Sequence, residues 1–108
     1  MLKEIKKNLI ILEYLNKLSP KERQNYLKSS KNIFLKRFID LLFNINCGNL
    51  YTSDFFLNKL RLYKIQIQNL CKNGKSLKSK KIILIKNKLF SKLIPILTEL
   101  LIKNEIFD

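Results

Sequence analysis

The sequence predicts an all-α protein, a small bundle of five or six short helices joined by short loops. Apolar residues recur at steps of three and four along nearly the whole chain, the period of one helical face. The 108 residues include only two glycines and two prolines, and each stands where a helix is expected to start, stop or bend. A strand reading has one foothold, the apolar run Ile82 to Ile85. With no partner strand elsewhere, that run is assigned to a helix. The length suits a single domain over 1–108. No repeat, linker or low-complexity block divides it. The 46% hydrophobic content is enough for a core.

Leu2, Ile5, Leu9, Leu12, Leu15 and Leu18 place a first amphipathic helix over about Leu2 to Leu18. Ser19-Pro20-Lys21-Glu22 starts a second, Pro20 to Ser29. Serine caps it, proline fits the first turn and the glutamate completes a capping box. Ile33, Phe34, Arg37, Phe38, Leu41, Leu42 and Ile45 define a third helix ending near Asn46, with Gly48 supplying a left-handed cap. Residues 1–46 form the N-terminal helices.

Ser53 caps a fourth helix predicted to run unbroken from Asp54 to about Lys72. Its apolar stripe is Phe56, Leu60, Tyr63, Ile67 and Leu70. A second stripe of Arg61, Lys64, Gln68 and Lys72 would form a row of groups on a rigid rod, about 5–6 Å apart. Gly74 ends this helix, and Ser76 opens a fifth from Leu77 to about Lys88, completing a basic region over 54–88. An apolar helix over 89–104 follows, with Pro95 either in its first turn or kinking it.

Charge is the unusual property. The net charge is +14, and residues 55–98 carry eleven Lys and Arg and no Asp or Glu. A folded segment of one sign repels itself, and a bound polyanion removes that penalty. Lys and Asn enrichment is also what an AT-rich genome produces, but coding bias leaves the scarcity of Glu unexplained. The contact set expected for a nucleic acid, double-stranded DNA first, is Arg61, Lys64, Lys72, Lys75, Lys78, Lys80 and Lys81. Lysine–phosphate contacts supply affinity without reading bases. Arg, Asn and Gln are not clustered as a base-reading helix requires.

Catalytic chemistry lacks its parts. The absence of histidine removes the imidazole base, His-based triads and His-containing zinc sites. No Gly-rich phosphate loop is present. Cys47 and Cys71 lack metal spacing and read as free thiols. The expectation is no enzyme, no cofactor and no metal. No signal peptide and no apolar run of about 20 residues stands out, which predicts a soluble protein without a spanning helix.

From Asn44 onward several short motifs stand together. They are Gly48-Asn49, Leu60-x-x-Tyr63-Lys64, Lys75-Ser76-Leu77-Lys78-x-Lys80-Lys81-x-Ile83-Leu84 and Phe90-x-x-Leu93-Ile94-Pro95-x-Leu97. Over about 60 residues this resembles small lysine-rich proteins of Maverick/Polinton-type elements and adintoviruses. Its last part is similar to adenovirus core protein X, the precursor of the DNA-condensing peptide mu. Lys88-Leu89 stands where those relatives carry Gly-Gly, and the basic part is Lys-rich rather than Arg-rich. The resemblance implies a DNA-associated protein of a virion core or virus-like element, found in the virion or host nucleus.

Two other readings stay open. A basic amphipathic helix also suits a membrane surface, with 89–102 as the inserting face and Lys86, Lys88 and Lys92 at headgroup level. Alternatively the chain is a helical scaffolding or interaction protein, with a homo-oligomer as partner.

Overall fold

Seven α-helices follow one another in the computed structural model, which describes residues 2–46, 53–72 and 74–107. They are α1 (Leu2–Lys17), α2 (Pro20–Ser29), α3 (Asn32–Asn46), α4 (Asp54–Arg61), α5 (Lys64–Cys71), α6 (Leu77–Ile85) and α7 (Leu89–Phe107). A 3-10 turn, Lys86–Lys88, joins the last two. Among the described residues there is no strand, so the all-α bundle expected from the sequence is what forms. Cys47, Gly48 and Asn49, and the side chains of Leu2 and Ile5, lie outside what is described.

The bundle is built around α7. Leu89, Phe90, Leu93, Ile94, Leu97, Leu100 and Leu101 are each at most 3% exposed. Burying such side chains contributes about 1.5–3 kcal/mol apiece. α1, α2, α4 and α6 all pack on this helix, while α3 packs on α5 and α6. From α1 come Leu9, Leu12 and Leu15, and from α3 Leu35, Phe38 and Leu42. The rings of Phe38 and Phe90 meet edge to face at 5.0 Å, and Tyr26 meets Phe34 at 5.2 Å. Most of the apolar face of 89–102, considered above as a membrane-inserting surface, is therefore buried in the core, while Ile102 stays exposed. The radius of gyration is 13.0 Å, about 13 Å being expected for a compact chain of this length.

Long polar side chains stitch helix ends together. The capping box forms as the sequence predicts. Ser19 Oγ accepts from Glu22 N–H at 3.2 Å, and the Glu22 carboxylate accepts from Ser19 N–H at 3.0 Å. Arg23 donates to the carbonyls of Leu15 (2.9 Å) and Asn16 (3.0 Å) at the end of α1, and to that of Ser91 (3.1 Å) in α7. Gln24 donates to Ile85 at the end of α6. Thr98 Oγ1 donates to Ile94 at 2.7 Å and approaches the Leu12 carbonyl at 3.4 Å. Leu12 thus lies by Thr98, and Leu15 and Asn16 lie by Ser91, so α1 and α7 are antiparallel.

The expected rod from Asp54 to Lys72 is corrected to two helices. Chain direction changes at Leu62–Tyr63, where Tyr63 adopts φ −117°, ψ 16° and its N–H bonds to Leu60 at 2.9 Å. The two halves bury against different partners. α4 packs on α7 through Phe56 and Leu60, and α5 packs on α3 and α6 through Ile67 and Leu70. One straight helix could not serve both. Leu62 and Ile65 are left 76% and 72% exposed at the break. The fifth helix also stops early, at Ile85 rather than Lys88.

Candidate nucleic-acid interface

The seven basic residues singled out from the sequence fall into three places. Arg61 ends α4 and Lys64 begins α5, both exposed. They flank a recess of about 210 Å³ whose walls include Leu42, Ile45, Leu60 and Ile67. Lys72 and Lys75 are exposed on the connection to α6, around Gly74 at φ +89°. A left-handed backbone there suits glycine and strains other residues. Lys72 itself has left the helix for an extended conformation (φ −67°, ψ 135°). The stripe Arg61, Lys64, Gln68, Lys72 is therefore not a row on one rod. It is interrupted after its first member and loses its last.

Lys78, Lys80 and Lys81 lie in the first turns of α6, whose N-cap Ser76 accepts from the Ser79 N–H at 3.1 Å. Lys78 is exposed and Lys80 half-buried. Lys81 has a different role. Its ammonium donates to the carbonyls of Lys28 (2.9 Å) and Ser30 (3.2 Å), closing the C-terminal end of α2. Cations complement that end of a helix dipole.

A second basic site was missed as a site by sequence reasoning. Lys86, Lys88 and Lys92 line a cleft of about 680 Å³ together with Tyr63, Gln66 and Asn69 of the turn and α5. All three lysines are exposed. The wall they form turns on Asn87 and Lys88, both at positive φ (56° and 58°). The signal was present as a polar triplet, Lys86-Asn87-Lys88, between two apolar runs. Asparagine is among the few residues that visit this conformation readily.

Compensating negative charge is scarce across the region. Among the described residues the single ion pair is Lys59–Glu99 at 3.7 Å, and both side chains are substantially exposed. Such a pair contributes little. Lys59 also sits 4.4 Å from the Phe55 ring centroid. No group of His, Cys, Asp or Glu among the described residues could hold a metal ion. No described helix is long and apolar enough to cross a membrane.

Fold and sequence together define a small all-helical bundle with a lysine-rich segment, 55–98, that carries no acidic residue of its own. The chain matches no family model, no curated protein and no solved structure.

Proposed function

We propose that this chain is a sequence-nonspecific nucleic-acid-binding protein, working through lysine–phosphate contacts as a DNA-condensing or core protein of a virus or virus-like element. One observation carries the binding reading: eleven basic residues and no acidic residue over 55–98, with most of those charges exposed on the helices and the turns between them. A solvated lysine face is the ordinary fate of surface charge. It ordinarily comes with acidic neighbours, and here the 55–98 segment carries none of its own, with Glu99 beside Lys59 as the one ion-paired acid among the described residues. The viral setting and duplex DNA as partner rest on the motif resemblance alone.

The test is fluorescence anisotropy of a labelled duplex of about 30 base pairs, titrated at about 50 and 200 mM salt. Neutralising six to ten phosphates weakens binding by about 10³–10⁵ over that range. The expected result is that loss, equal for unrelated sequences. Reversing exposed Lys75 and Lys78 to Glu weakens binding further and lowers the salt slope. Absence of binding at the lower salt overturns the reading. Lys81 is unsuitable for this test, because replacing it also uncaps α2.

A further inference from the structure

We infer that the cleft between α5 and the start of α7 seats an unpaired stretch of nucleic acid, with phosphates on Lys86, Lys88 and Lys92 and a base against Tyr63. This rests on the nucleic-acid reading above and specifies which form of the polymer the protein grips best.

Size, charge and chemistry of the walls carry the inference. The cleft volume, about 680 Å³, lies within the roughly 300–1,000 Å³ of sites that enclose small ligands. It has room for a nucleotide unit. One side of the cleft is lined by Tyr63, in the turn before α5, and by Gln66 and Asn69 of α5, three apart on one helical face. The opposite wall carries Lys88 and Lys92, four apart, with Lys86 at the corner. No carboxylate lines the cleft. Leu89, the first residue of α7, also lines it, so the positive end of a 19-residue helix adds to the lysines.

This combination differs from a plain phosphate patch. Aromatic stacking beside a cationic track is how single strands are held without sequence preference. The amides of Gln66, Asn69 and Asn87 can meet base edges whatever the base. In a duplex the base faces are stacked on one another and hidden, so Tyr63 has nothing to stack on. Leu62, 76% exposed at the rim, offers further apolar contact to an unstacked base. The corner itself is held in an uncommon conformation, with the non-glycine residue Lys88 at φ 58°. That directs chain and charge into the cleft at a local conformational cost.

The experiment compares a labelled thymidine oligonucleotide of about 20 residues with a duplex of equal length, on the full chain. The expected result is tighter binding of the single strand. The double variant Lys86→Ser/Lys92→Ser selectively weakens single-strand binding and lowers its salt slope by about 1.4, at about 0.7 per phosphate contact. Both lysines are exposed, so unfolding curves should coincide with the parent. Tyr63→Phe keeps a stacking ring. It should retain affinity while losing the component of tyrosine fluorescence quenched by the oligonucleotide. Tyr63→Ala should bind roughly 5- to 150-fold more weakly, the range of one lost stack. Equal affinity for both forms, or a double variant that weakens both equally, overturns the cleft assignment and leaves the general binding reading standing. If neither form binds, both readings fall.

Discussion

Pro95 removes an amide from the middle of α7, and Arg23 answers the loss. A proline has no N–H for the carbonyl four residues back, here Ser91 in a residue only 4% exposed. The Arg23 guanidinium supplies that donor at 3.1 Å, while two more of its N–H groups hold the end of α1. Arg23→Ala should therefore destabilise by about 1–3 kcal/mol, the cost of orphaned buried acceptors. Pro95→Ala restores the missing N–H. In that background the Arg23→Ala cost should fall by about 1 kcal/mol, read from urea midpoints in a double-mutant cycle. Equal costs in both backgrounds would disprove the coupling. Glu22 gives a second prediction at this scale. Its carboxyl is held below the ordinary range first by the Ser19 backbone N–H and then by the Ser19 hydroxyl. The stabilisation from this lowered pKa is present above the ordinary carboxylate range and is lost as pH falls through the folded value. Glu22→Gln keeps an acceptor without a charge. Its melting temperature should approach that of the parent as acid protonates Glu22, with the larger gap at neutral pH.

Among the helices, local signals and global packing divided the labour. α2 was legible because its start is written in adjacent residues, Ser19 through Glu22. α1, α3 and α7 were legible from their apolar period. The break at Leu62–Tyr63 was not, because no Gly or Pro marks it. It comes from α4 and α5 facing different neighbours, which a single sequence does not state. The candidate basic row depended on an unbroken rod, so it fell with it. The cleft could not be read in advance because it joins residues 63–69 to residues 86–92 across a corner. Two predictions belong here. Leu97→Ala, at a fully buried position of α7, should cost about 2–5 kcal/mol by urea denaturation, a large share of the roughly 5–15 kcal/mol typical of a domain. Lys88→Gly relieves a left-handed lysine and should raise stability by up to about 1–2 kcal/mol, while weakening single-strand binding. A variant both no more stable and equally tight would contradict the role given to that corner.

For the molecule as a whole, a charge of +14 is confined to a body of 34 × 28 × 24 Å. At about 0.01 M salt the screening length is about 30 Å, so every charge feels every other. At about 0.1 M it is about 10 Å and distant pairs are decoupled. The melting temperature should therefore rise between these two conditions, and rise again with bound polyanion by mass action. A salt-independent melting temperature would mean that the repulsion is already relieved within the fold. The antiparallel pairing of α1 with α7 has a consequence in time. α1 leaves the ribosome well before the surface it must cover is made. Until translation passes the α7 codons and that segment clears the exit tunnel, Leu9, Leu12 and Leu15 lack the helix on which α1 chiefly packs. This domain should therefore close only once α7 has emerged, as one late event.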